Sequence, residues 1–150
     1  GSIMAKYKIG YTTGVFDMFH IGHLNILKKA KALCDYLIVG VSTDELVREY
    51  KHKTPIIKFN ERLNIVSSIK YVDKALAQTS MNKIDAWNNL HFDVMFHGSD
   101  WENSEMYNKI VEEFRQVGVD VIFLPHTPGT SSTFLKEALA AYMDKKGELC

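Results

Sequence analysis

His20 and His23 are the residues with the most chemistry to offer, because Gly14 and Gly22 place both imidazoles beside tight backbone turns. They close the segment Thr13-Gly14-Val15-Phe16-Asp17-Met18-Phe19-His20-Ile21-Gly22-His23, which joins an apolar stretch to an amphipathic one. Gly14 permits a tight turn and a close approach of backbone to a ligand. A helix that begins here presents free N–H groups and the positive end of its dipole, which suit phosphate. Two imidazoles at that place can add donors, and protons, to charge developing on transferring or leaving oxygens. Capping or surface histidines, and a metal site, are the competing readings of His-x-x-His taken alone.

Four further segments could carry chemistry. Lys51-His52-Lys53 is either a solvated basic loop or a mobile loop that folds lysine over a bound triphosphate and neutralises leaving pyrophosphate. Arg62 falls in the first turn of a helix, where a cation opposes the dipole unless a ligand or carboxylate needs it, and Lys70 follows eight residues later. Glu61 and Arg62 as a plain exposed pair is the alternative. Gly98-Ser99-Asp100-Trp101 follows an apolar run; Asp100 could accept from an exocyclic amine such as that of cytosine, and Trp101 suits core or a dimer contact. Pro125-His126-Thr127-Pro128-Gly129-Thr130-Ser131-Ser132-Thr133 is a second glycine-bearing, hydroxyl-rich loop that opens a helix. It reads as a phosphate cradle or as simple capping by Ser131 or Ser132.

The elements that must position these groups alternate along the chain. Strands are expected at Tyr7–Thr12, Tyr36–Val41, Ala75–Ala77, Asp93–His97 and Val119–Leu124. Helices are expected at His23–Cys34, from Asn60 through Ile69, at Met106–Val117 and at Ser132–Met143. Arg48–Phe59 reads as one long irregular loop, more often functional than idle at that size. This order predicts a single α/β domain, a parallel sheet flanked by helices, with right-handed crossovers. Ligands then bind beyond the carboxyl ends of strands, where each segment above falls.

The bulk properties set bounds. The chain has 150 residues, 46% hydrophobic and 24% charged, enough for one domain with a sizeable core. Lys+Arg and Asp+Glu balance at 18 each, which argues against a general nucleic-acid or membrane-surface binder. No apolar run approaches the ~20 residues of a membrane helix. Cys34 and Cys150 make no metal-ligand spacing and read as free thiols in a reducing cytoplasm. Residues 1–3 read as a cloning scar and 144–150 as a tail. The absence of GxGxxG, GxxxxGK[ST] and Gly-x-Ser-x-Gly weighs against dinucleotide reductases, P-loop NTPases and serine hydrolases.

Taken together, the segments resemble the cytidylyltransferase family of the HIGH-type nucleotidyltransferases. Thr13–His23 is similar to its G-[TVIC]-F-D-x-x-H-x-G-H signature, and Cys34–Asp44 to the stretch that follows. Glu61-Arg62 through Lys70-Tyr71-Val72-Asp73 resembles its E-R…[RK]-Y-V-D segment, and Gly98–Trp101 its G-D-D-W. Gly129–Thr133 is similar to the end of R-T-E-G-I-S-T-[TS]. The resemblance covers about Lys6 to Met143, and in length it is most like the members acting on glycerol-3-phosphate.

It implies a Rossmann-like fold and transfer of CMP from CTP to a small phosphorylated alcohol, with Mg²⁺ bound through the nucleotide phosphates, in a homodimer. His20, His23 and Lys53 would be catalytic. Thr13, Gly14, Val15, Phe16, Asp17, Gly22, Lys51, Arg62, Lys70, Gly98, Asp100, Thr127, Gly129, Ser131, Ser132 and Thr133 would bind nucleotide and phosphate, with Asp17 ordering the site. The family's R-T-E-G stands here as His126-Thr127-Pro128-Gly129. An imidazole in place of a fixed guanidinium leaves the acceptor open. An adenylyltransferase using ATP, and a catalytically weak nucleotide-binding domain, are the two rival readings.

Overall fold

The structure is a computed structural model and describes residues 7–99, 102–129 and 131–146. The elements run β1 (Tyr7–Gly14), α1 (Ile21–Ala32), β2 (Cys34–Ser42), α2 (Asp44–Lys51), α3 (Phe59–Ser67), β3 (Lys74–Gln78), α4 (Lys83–Leu90), β4 (Val94–Gly98), α5 (Glu105–Gln116), β5 (Asp120–Leu124) and α6 (Ser132–Lys146). The strands form one sheet in the order β3-β2-β1-β4-β5, every pair parallel. The expected α/β architecture is therefore present.

Why the strands sit in the middle is visible in β2. Leu37, Val39 and Val41 are fully buried and pack with Leu27 and Ala30 of α1 and Val66 of α3. Ile38 faces the other way, into the layer of Tyr11, Phe92, Met95, Tyr107 and Phe114 beneath α4 and α5. A strand covered on both faces must be apolar throughout, which is how Tyr36–Val41 reads. Full burial of a side chain such as Leu27 contributes about 1.5–3 kcal/mol.

Several expected boundaries move. β1 runs on to Gly14, and α1 ends at Ala32, so Cys34 opens β2 rather than closing a helix. Arg48–Phe59 is not all irregular: Arg48 to Lys51 belong to α2, which Thr43 caps by accepting the Leu46 N–H at 3.2 Å. α4 stands where the sequence pattern predicts no element; Asn82 caps it by accepting from Ile84 and Asp85. α6 continues to Lys146, into the stretch read as a tail. No helix among the described residues is long and apolar enough to cross a membrane.

Candidate active site

β1 and β4 are neighbours, but their crossovers leave in opposite directions, β1 through α1 to β2 and β4 through α5 to β5. Their carboxyl ends frame a crevice where strand order reverses, the favoured ligand position of such sheets. A cleft of about 230 Å³ lies there. Thr12 through Gly14 line it from β1 and Val15 through Asp17 from the loop that follows, with His23 and Ile26 from α1. Lys51, Lys53 and Pro55 line it beside Ser132, Thr133 and Lys136 of α6, and His97, Gly98 and His126 line it from the ends of β4 and β5.

The two histidines build the start of α1 themselves. His20 is the N-cap; its Nδ1 accepts the Gly22 N–H at 3.0 Å, and its own N–H donates to His23 Nδ1 at 3.2 Å. Their rings stack with centroids 3.9 Å apart. His23 is on the cleft wall, with His20 stacked beside it. Both Nδ1 atoms accept, so each neutral ring carries its proton on Nε2. Burial pulls His23 down to about 3; the charge of His20 works in the same direction, and Asp17 opposes it. Burial lowers His20 as well. The arrangement leaves a neutral imidazole on the cleft wall with its N–H on Nε2.

The loop before them is strained. Phe16 and Met18 adopt φ of 56° and 51°, a region costly for bulky side chains and tolerated mostly at functional sites. A Cβ on Gly14 would lie 2.9 Å from the Phe16 ring, so this glycine is what admits Phe16 beneath the cleft. The Phe16 ring in turn meets the His23 ring edge-on at 5.4 Å.

Asp17, 3% exposed, joins three segments. Its carboxylate accepts from Ile56 N at 2.9 Å, Ile57 N at 2.8 Å and Lys136 Nζ at 2.8 Å, and its carbonyl accepts from Ser132 Oγ. Burial alone would raise its pKa, but Lys136 and the two amides outweigh burial and hold it below the usual carboxylate range. The ordering role given to Asp17 has this physical content: it fastens the lysine loop and α6 to the histidine segment. On that side Lys51 is lowered first by burial, then by the charges of Lys53 and Lys136.

Not every expected residue reaches the cleft. Arg62 is 1% exposed and lies beneath it, donating to the carbonyls of Ile57, Val15 and Ser42 and to Asp44. Lys70 is exposed near the start of β3, its Nζ 5.2 Å from the Tyr71 ring, at the opposite end of the strands. Ser131 caps α6, its Oγ accepting the Phe134 N–H at 2.9 Å, the plainer of its two readings. Thr127 Oγ1 accepts from Asn25 Nδ2 at 2.8 Å and ties the last loop to α1. Gly129 makes a turn at φ 78° in open space, and Gly22 is buried at the start of α1. Asp100 and Trp101 lie outside the described residues.

Three residues were missed. Lys136 and His97 line the cleft without belonging to any recognisable motif. Lys83, 4% exposed on α4, reaches across to donate to Thr13 Oγ1 at 2.9 Å, and burial lowers it to about 8. A lysine after a capping asparagine carries no sequence signal of this; only the fold brings it to β1.

A parallel sheet with a helix start and basic side chains at its switch point defines a Rossmann-like nucleotide-binding protein. Residues 11–138 match the cytidylyltransferase-like family. The chain is 35% identical over 131 residues to glycerol-3-phosphate cytidylyltransferase of Bacillus subtilis, covering 86% of this chain and 95% of the relative. It is 47% identical over 96 residues to ethanolamine-phosphate cytidylyltransferase of Dictyostelium discoideum, covering 62% of this chain but only 26% of that longer relative. Among solved structures, a lipopolysaccharide core biosynthesis protein from Thermoplasma volcanium aligns with a TM-score of 0.68 at 29% identity, over 81% of this chain and 97% of its own. The chain belongs to the cytidylyltransferase-like family, and it is a nucleotidyltransferase.

Proposed function

We propose that the chain transfers CMP from CTP to a small phosphorylated alcohol, with glycerol-3-phosphate the favoured acceptor, and releases pyrophosphate. The observation that carries this is the start of α1, where His23, a neutral imidazole with its proton on Nε2, stands on the wall of a cleft bordered by Lys51 and Lys53. A phosphate oxygen of the acceptor attacks the α-phosphorus of CTP in line. The new P–O bond forms as the bond to the β-phosphate breaks, and pyrophosphate leaves without a covalent enzyme intermediate. Catalysis is alignment plus stabilisation of charge on the phosphoryl oxygens. His20, His23 and Lys53 supply it, and Thr133, Ser132 and the α6 start hold phosphate.

Among the described residues no three His, Cys, Asp or Glu side chains converge. A Mg²⁺ would be held through triphosphate oxygens and water, where it would neutralise charge on the leaving pyrophosphate. The long match to the Bacillus subtilis enzyme supports glycerol-3-phosphate. Pyrophosphate release should be measured with CTP and with ATP, each crossed with glycerol-3-phosphate, phosphoethanolamine, phosphocholine and sugar phosphates. Release with CTP and glycerol-3-phosphate is the expected result. Release with ATP alone, or with no pair, would overturn the reading.

Lys83 fits the acceptor's phosphate, because it is a buried cation that donates to Thr13 Oγ1, and Thr13 lines the cleft. Its charge is present below about pH 8 and lost above it, so acceptor kcat/KM should fall above that pH. Lys83→Arg should remove the fall, since guanidinium stays charged. Lys83→Met should raise acceptor KM roughly tenfold or more, as loss of a charged hydrogen bond does, with CTP KM unchanged. An unchanged acceptor KM would exclude this role.

A further inference from the structure

Three lysines stand on the cleft wall, and their surroundings differ. Lys51 ends α2 and Lys53 lies in the loop that follows; among the described residues neither pairs with a carboxylate. Lys136, in the second turn of α6, does: its Nζ stands 2.8 Å from Asp17 Oδ2. That oxygen also accepts the Ile56 N–H at 2.9 Å, and Oδ1 accepts the Ile57 N–H at 2.8 Å. Lys53 is exposed, whereas Pro55, between it and these amides, is buried. Proline fixes φ, so once the Ile56 amide is held little freedom remains in the stretch Thr54-Pro55 that leads back to Lys53. A carboxylate that is 3% exposed needs a cation beside it, since an uncompensated buried charge is costly. Were Lys136 to turn to a phosphate, Asp17 would be left with the two amides alone.

We infer that Lys136 is a positioning residue for the transfer: it holds the Asp17 carboxylate against the Ile56 and Ile57 amides, and through them it sets where Lys53 stands on the cleft wall. What Lys53 does there rests on the CTP reading above. Lys136 lines the cleft but does not serve as a phosphate ligand, because its ammonium is committed to Asp17. Lys51 and Lys53 remain as the cations for the triphosphate. Two residues of α6 divide the work. Ser132 Oγ donates to the Asp17 carbonyl and anchors the helix start, so α6 stays docked without Lys136. Lys136 reaches the carboxylate that grips the loop. Such placement matters because a displacement of about 1 Å at a reacting group can cost about a hundredfold in rate.

The test is a double-mutant cycle on the full chain with Lys136→Met, Lys53→Ala and the pair, read by initial rates with CTP and glycerol-3-phosphate. Lys136→Met should lower kcat about tenfold, with CTP KM and tripolyphosphate inhibition within about twofold of wild type. In the Lys53→Ala background the same change should cost almost nothing, because the group it places is gone. Lys136→Arg keeps a cation for Asp17 and should recover most of the rate. Lys136→Gln carries the same cycle if the methionine variant does not fold. Equal losses with and without Lys53 would overturn the positioning role. A raised CTP KM with weakened tripolyphosphate inhibition would also overturn it, since that pattern marks a phosphate ligand. Limited trypsin digestion, mapped by mass spectrometry, needs no substrate. Cleavage after Lys53 should be about tenfold faster in Lys136→Met than in wild type, and at the wild-type rate in Lys136→Arg. An unchanged rate after Lys53 in Lys136→Met would overturn the inference whatever the nucleotide. Wild type that releases no pyrophosphate from CTP would overturn the CTP reading and leave the trypsin result to decide the placement of the loop.

Discussion

Replacing His23 by alanine should lower turnover by about a hundred- to a thousandfold while the fold survives, the usual consequence of deleting one preorganised donor at a developing negative charge. The side chain is fixed before substrate arrives: Nδ1 is held by the His20 N–H, one face by the His20 ring and an edge by Phe16. Only Nε2–H is left to act. The ring is neutral, with its pKa near 3, so its contribution should not change between pH 5 and 9. A pH limb near 6 or 7 that vanishes in His23→Ala would contradict the donor role and favour proton transfer. His23→Gln keeps a donor and should recover part of the rate. Circular dichroism and Tm close to wild type would show that the loss is chemical. Near-normal turnover in the alanine variant would remove the central claim.

What the sequence made legible was local. Thr13–His23 declares itself because strand end, turn glycine, imidazoles and helix start all lie within a few residues. The apolar run at Tyr36–Val41 declares a doubly covered strand for the same reason. α2 and α4 stayed hidden because eight residues make little more than two turns, too few for a 3.6-residue period to show. Arg62 was legible as an oddly placed cation but not by destination, since Val15 lies 47 residues away and Ser42 lies 20 away. Lys83 and Thr13 are 70 residues apart. Nothing short of the strand order places α4 against β1, so no local reading could have paired them.

Arg62 yields the largest expected effect on stability. Its Nε donates to Ile57 O at 2.8 Å, Nη1 to Val15 O at 2.8 Å and Ser42 O at 2.7 Å, and Nη2 to Asp44 Oδ1 at 2.6 Å. A planar fork meets acceptors in several directions at once, which an ammonium on a flexible stem does not. Arg62→Met leaves the Asp44 carboxylate and three carbonyls without this partner. Arg62 is fully buried and Asp44 about a quarter exposed, so losing the pair together with the partner of three carbonyls costs about 3 kcal/mol, and for a domain of this size Tm should fall by roughly 10 °C. Arg62→Lys should fall nearly as far. The acceptors also bear on function: Val15 lines the cleft, and Ile57 belongs to the loop whose amides Asp17 holds. Turnover should therefore drop too, but as a consequence of a loosened loop that carries Lys53. Thermal denaturation against CTP kinetics separates this from direct binding. A variant with wild-type Tm and a raised CTP KM would mean that Arg62 touches nucleotide; a large loss of Tm with CTP KM changed only modestly would mean that it holds the cleft from below.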